Sequence, residues 1–268
     1  MDGDLELLVR ELKLDILRMF YHSKTGHLSS ALSCIEMLSV LYFWQRDEKD
    51  RIVLSKGHGA AALYPILERI GEIDRAELKT FYGYNSRLFA LASHKTSGIE
   101  VSTGSLGQGI CFASGLAKAY RLDAEKAKVF CILGDGEMQE GSVWEAAMFA
   151  PTQKLDNFAV FLDYNGIQAS ERVQTIMQIE PVREKWQAFG WQVEEIDGHD
   201  LTAIQDVVQT FRDNIYHKPL FVIAHTHKGH GIPFIQDQAD CHMRNPKNEE
   251  WETVCRAFHI SPEELSLL

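Results

Sequence analysis

Two stretches decide the fold: Lys128-Val129-Phe130-Cys131-Ile132-Leu133-Gly134-Asp135-Gly136 and, further on, Phe158-Ala159-Val160-Phe161-Leu162, which leads into Asn165-Gly166-Ile167. Each opens as an apolar run of strand length and closes in a glycine-bearing turn. Between them Gly141 to Gln153 reads as a crossover helix, which parallel strands require. Parallel strands gather ligands at their carboxyl ends, so Asp135 and Asn165 reach the same sheet edge. A carboxylate, a carboxamide and a nearby backbone carbonyl are hard oxygen donors suited to Mg²⁺ or Ca²⁺. The flanking glycines let the main chain approach a phosphate closely. The residues alone point to a metal-bridged diphosphate site.

Composition bounds the rest. The 268 residues are 45% hydrophobic and 24% charged, ordinary values for a soluble globular chain with a sizeable core. A net charge of -11 argues against nucleic-acid or anionic-membrane binding, which need a basic footprint. There is no apolar run of membrane-spanning length, and the acidic start Met1-Asp2-Gly3-Asp4 is unlike a signal peptide. Cys34, Cys111, Cys131, Cys241 and Cys255 are odd in number and scattered, so reduced thiols and a cytoplasmic setting are expected.

Along the chain, Leu5, Leu8, Leu12, Ile16 and Met19 recur at helical spacing over Asp4 to His22. A small-residue turn, Lys24 to Ser30, carries His27 and precedes a helix from about Ser33 to Phe43. Arg51 to Leu54 is a short strand that ends in Ser55-Lys56-Gly57-His58-Gly59. Helices are expected to about Arg69 and over Arg75 to Tyr82, the second with Asp74 as N-cap. Residues 83–104 lack periodicity and form the longest irregular stretch, which in a compact domain is usually functional or mobile. Ser102-Thr103-Gly104-Ser105-Leu106-Gly107-Gln108-Gly109 then launches a helix to about Tyr120, a natural anion cradle. Pro181 opens a helix, Trp191 to Ile196 is a strand, Asp200 caps a helix from Leu201 to Arg212, and Pro219 to Ala224 is a last buried strand. A short helix follows near Glu249 to Phe258. The alternation predicts one α/β domain over residues 1–268, a doubly wound, mostly parallel sheet with helices on both faces.

These motifs, in this order, resemble the thiamine-diphosphate-binding half of a transketolase, specifically the N-terminal chain of a split, two-chain transketolase. The resemblance rests on Gly26-His27, Lys56-Gly57-His58-Gly59, Val101 to Gly109, Gly134-Asp135-Gly136 through Glu140-Gly141, Asn165-Gly166-Ile167 and Gly198-His199. It implies that Asp135, Asn165 and the carbonyl of Ile167 hold Mg²⁺, with Ca²⁺ or Mn²⁺ as substitutes. It further implies that Gly134, Gly136 and His58 meet the diphosphate and that Gly104, Ser105 and Leu106 line the cofactor pocket. His27, His58, His94 and His242 would face the sugar and the thiazolium, and Glu140 would lie at a subunit interface. Imidazoles suit proton removal from one hydroxyl and return to another near neutral pH. The implied reaction is transfer of a two-carbon ketol unit from a ketose or ketose phosphate to an aldehyde. The pyrimidine-binding domain is expected on a separate C-terminal subunit, in an α₂β₂ assembly, so the chain alone is expected to be inactive.

Plainer readings stand beside these. Asp135 could merely cap a turn, His27 could be a capped-turn histidine, and His199 between Asp197 and Asp200 reads as a turn residue; Trp186 and Trp191 are most simply core. The chain also departs from the family pattern. Lys95 follows His94 where proline is usual, the loop from His94 to Gly98 is shortened, and Met243-Arg244 follow His242 where small residues are common. These departures leave open an acetyl or ketol transferase of a specialised pathway, or a non-catalytic cofactor-binding paralogue. A nicotinamide site fails because Gln139 stands where a third glycine belongs. A zinc site from His225, His227, His230 and Cys241 has no regular spacing.

Overall fold

In a computed structural model that describes residues 2–169 and 171–268, five strands form one parallel sheet in the order β1-β2-β3-β5-β4. The elements run α1 (Asp2–Ser23), α2 (Leu28–Phe43), β1 (Arg51–Leu54), α3 (Leu63–Arg69), α4 (Gln108–Leu122), β2 (Val129–Gly134), α5 (Gly141–Thr152) and β3 (Phe158–Tyr164). There follow α6 (Val173–Ile176), α7 (Val182–Phe189), β4 (Gln192–Asp197), α8 (Leu201–Arg212), β5 (Leu220–His225), α9 (Glu250–Phe258) and α10 (Pro262–Ser266).

The strand sequences are apolar throughout because both faces of the sheet are covered. Successive residues alternate between two packing layers. Leu54, Phe130, Ile132, Phe161 and Val222 join α1, α2, α3 and α8 on one side. Val53, Cys131, Leu133, Val160, Leu162 and Phe221 join α4, α5 and α7 on the other. Each such side chain, fully buried, contributes about 1.5–3 kcal/mol, so the sheet is a stiff platform for the loops at its edge. Register pairs Gly134 with Asp163 and Tyr164 with His225, which brings the ends of β2, β3 and β5 level.

Three details differ from the sequence reading. Helix α2 starts at Leu28, inside the expected turn, because the His27 carbonyl already accepts from the N–H groups of Ser30 and Ala31 (both 3.2 Å). Arg75–Thr80 is a 3₁₀ helix, closed where the Glu77 carboxylate reaches back to the Asp74 N–H (3.1 Å). Helix α10, unforeseen, is set by Ser261 and Glu264 capping each other with Pro262 in the first turn. Residues 83–104 hold neither helix nor strand, as expected.

Candidate functional site

Four strand ends deliver polar side chains to one edge of the sheet. Lys56 and His58 follow β1, Asp135 and Glu137 follow β2, Asn165 and Ile167 follow β3, and Lys228 follows β5; together with His27 and His242 they line a cavity of about 370 Å³.

The wall is built on buried charge. Lys56 and Asp163, both essentially without exposure, form an ion pair. Lys56 Nζ also donates to the Ser30 carbonyl and Ser33 Oγ (both 3.1 Å), while Asp163 accepts from Ser33 Oγ (2.7 Å) and Thr226 Oγ1. Burial works against both charges, but each partner outweighs it for the other: Asp163 stays below the ordinary carboxylate range and Lys56 above the ordinary amine. Glu137 ties three segments together by accepting from Ser55 Oγ (2.5 Å), Gly107 N (2.8 Å) and Gly134 N (3.0 Å).

The loops after β2 and β3 interlock. Asp135 accepts from Gly136 N (2.7 Å), Asn165 N (3.0 Å) and Gly166 N (2.6 Å), and Asn165 Oδ1 accepts from Ile167 N (3.1 Å). The Ile167 carbonyl accepts from Lys228 Nζ (2.8 Å), so a cation already sits beside this oxygen cluster. Burial, and then the nearby Asp163 charge, push the Asp135 carboxyl up to about 6. A buried carboxylate short of positive charge, one carboxamide oxygen and one carbonyl make a donor set that fits a small hard divalent cation.

Opposite lie three imidazoles. Ring centroids are 4.8 Å apart for His27 and His242, 5.2 Å for His58 and His242, and 5.7 Å for His27 and His58. Burial first, then the Lys228 ammonium, hold His27 below the usual imidazole range and bring His242 down to about 3. His58, also buried and near Lys56, lies well below as well. All three are therefore neutral near pH 7 and able to take a proton. His27 Nδ1 is buried without a partner among the described residues, an orphan that a bound ligand would satisfy.

The other expected residues are placed unevenly. Gly104, Leu106, Gly134, Gly136 and Glu140 line the cavity; Ser105 is exposed beside it. His94 is exposed and turned onto Ser102 Oγ (2.8 Å), away from the imidazole cluster. Leu91 lines the cavity in that loop, close enough that a Cβ on Gly104 would lie 3.0 Å from its Cδ1. The sequence reading missed roles for Lys56, Glu137, Asp163, Lys228 and Leu91. Only Lys56 and Glu137, inside motifs already singled out, had a local signal.

A family profile described as transketolase, thiamine diphosphate binding domain, matches residues 6–266. The chain belongs to the transketolase family. It is 36% identical to one of the two subunits of the apulose-4-phosphate transketolase of Phocaeicola vulgatus, over 97% of this chain and 96% of that one. It is 39% identical to the 6-deoxy-6-sulfo-D-fructose transketolase subunit SqwG of a Clostridium species, over 85% of this chain and 86% of that one. The crystal structure of transketolase from Campylobacter jejuni superposes with a TM-score of 0.89 at 29% identity, over 96% of this chain and 43% of that one. This transketolase chain thus matches the apulose-4-phosphate transketolase chain nearly end to end and spans under half of the Campylobacter enzyme. No helix among the described residues is long and apolar enough to cross a membrane.

Proposed function

We propose that this chain is the cofactor-binding half of a two-chain transketolase, which moves a two-carbon ketol unit from a ketose to an aldehyde with thiamine diphosphate and Mg²⁺. The observation that carries this reading is the convergence of Asp135, Asn165 and the Ile167 carbonyl on one side of a cavity whose other side holds His27, His58 and His242. Asp135, Asn165 and Ile167 would hold the cation, Gly134, Gly136 and His58 the diphosphate, and Gly104, Ser105 and Leu106 the length of the cofactor. Bound there, thiamine diphosphate supplies the carbanion that attacks a ketose carbonyl. The chain's own residues manage protons. As the donor C2–C3 bond breaks, the C3 hydroxyl loses a proton to a neutral imidazole, His27 or His242. When the new C–C bond forms, the acceptor's carbonyl oxygen takes a proton back, so the cycle is balanced.

The two relatives just described are named for a sugar phosphate and a sugar sulfonate. A ketose with an anionic group at its far end is the donor class we assign. Their designation as subunits supports a second chain carrying the pyrimidine-binding domain, in an α₂β₂ assembly, with residues 1–268 as one cofactor-binding domain. Glu140 and Gln139 at the cavity rim adjoin an apolar hollow of about 480 Å³ lined by Met138, Trp144, Met177 and Phe189, a face suited to that partner. Five free cysteines fit a reducing, cytoplasmic setting. The test is reconstitution. The purified chain alone should show no ketol transfer, and the chain with its partner, Mg²⁺ and cofactor should turn over a ketose phosphate or sulfonate. Asp135→Asn should abolish cofactor binding, and brisk transfer by the chain alone would refute the partner's role.

A further inference from the structure

The turn Gly198-His199 and the histidine-rich segment after β5 take no part in the site described so far, yet they meet on a buried carboxylate. Glu36, in α2, is 3% exposed. Its Oε1 lies 2.5 Å from Lys13 Nζ and 3.4 Å from His230 Nδ1, and its Oε2 lies 3.3 Å from His199 Nδ1. Burial opposes its charge, but the two imidazoles and the ammonium hold its carboxyl below the ordinary range. Oε2 and His199 Nδ1 are both buried without a formed hydrogen bond among the described residues, so each is the partner the other has. On its far side, His199 Nε2 accepts from the main-chain N–H of His227 (2.9 Å). The close approach depends on Gly198: a Cβ there would lie 2.5 Å from Thr226 Cγ2.

Oxygen and nitrogen atoms of Glu36, His199 and His230 fall within 4.8 Å of one another, a spacing a divalent cation would accept. Two facts speak against one. The Lys13 ammonium already takes the cation's place. With Nε2 accepting from the main chain, neutral His199 carries its proton on Nδ1, which leaves no lone pair there for a metal. The cluster is instead an orienting device, and the residue after His227 is Lys228, whose ammonium reaches the Ile167 carbonyl and His242 Nδ1 (3.3 Å) inside the cavity.

We propose that Glu36 and His199 are positioning residues for Lys228: the carboxylate fixes the Nδ1–H tautomer of His199, whose Nε2 clamps the His227 main chain and so sets where the Lys228 ammonium stands. This rests on the reading of the cavity as a diphosphate site. Outer partners of this kind, when removed, weaken a site about ten-fold. The test compares calorimetric binding of thiamine diphosphate with Mg²⁺ to the reconstituted two-chain protein. His199→Gln keeps an acceptor at the Nε2 position and should bind within about two-fold of the parent; His199→Asn keeps only the group near Glu36 and should bind about ten-fold more weakly. If His199 acts through Lys228, the His199→Asn, Lys228→Met double variant binds no worse than Lys228→Met alone. Multiplying losses, equal losses for Gln and Asn, or a zinc ion retained by the purified chain would each overturn the proposal. If the parent itself fails to bind cofactor, the functional reading falls. The relay is then decided by the ¹⁵N imidazole shifts of His199 in the isolated chain, where an Nε2–H tautomer sinks it and an Nδ1–H tautomer supports it.

Discussion

The ammonium of Lys56, from the turn after β1, and the carboxylate of Asp163, near the end of β3, pair with almost no exposure on the wall of the cavity. Removing one partner strands the other in a low-dielectric site, so Lys56→Met should lower stability by about 3–5 kcal/mol. Replacing both, as in Lys56→Met with Asp163→Leu, should cost less than the sum of the singles, because no charge is left unpaired. Urea unfolding of the three variants checks this; a single-variant loss below about 1 kcal/mol would show that water reaches the pair.

Gly107 holds a left-handed conformation (φ +80°) at the start of α4, pressed against α5: a Cβ would collide with Ser142 Oγ and lie 2.8 Å from Glu140 Cβ. Gly107→Ala is therefore expected to destabilise by about 1–3 kcal/mol and to disturb the cavity rim at Glu140. Gly141→Ala is the control. Nothing lies within 4 Å of its Cβ, and its effect should stay within about 0.5 kcal/mol. Equal melting temperatures for the two variants would refute the steric account.

Leu91 presents an apolar side chain, 39% exposed, to a cavity otherwise walled by imidazoles and charges. Because it is half open, Leu91→His should change stability by no more than about 0.5 kcal/mol. It should alter kcat/KM among ketose donors several-fold, because a polar group then faces the substrate, while cofactor affinity stays put. A donor panel measured on the reconstituted pair, with an unchanged ranking, would assign Leu91 to packing alone.

The strands and the crossover helices were legible because parallel, doubly covered strands are apolar runs punctuated by glycine, as in Val129–Gly134 and Phe158–Tyr164. The Asp135 and Asn165 loops were legible for the same reason: they follow those runs directly. His27 and His58 could be singled out by glycine neighbours. Lys228 and Asp163 could not, since nothing local says that Lys228 turns inward to Ile167 or that Asp163 closes on Lys56, residues far apart in the chain. In the loop before Ser102, the histidine drew the eye, but its ring lies on Ser102 and the chain path carries Leu91 to the wall instead. A loop without periodicity gives no register from which side-chain direction could be read.

The imidazole cluster should give the protein a marked acid sensitivity. Burial, with Lys228 close by, brings His242 down to about 3 and lowers His27, and burial beside Lys56 lowers His58, whereas all three return to about 6.5 in the unfolded chain. Between those values the unfolded state binds more protons than the folded one. The stability they contribute is fully present above about pH 6.5 and drains away as pH falls toward 3. Asp135, pushed up to about 6, acts in the opposite sense between about 6 and 3.8, one carboxyl against three imidazoles. Melting temperature recorded from about pH 8 to pH 5 should therefore fall. His242→Asn, which removes one contributor without charge, should flatten the decline even though it opens the cavity. Curves of the same slope for parent and variant would mean that His242 is protonated in the folded state as readily as in the unfolded one, and that it cannot be the neutral acceptor the proton traffic requires.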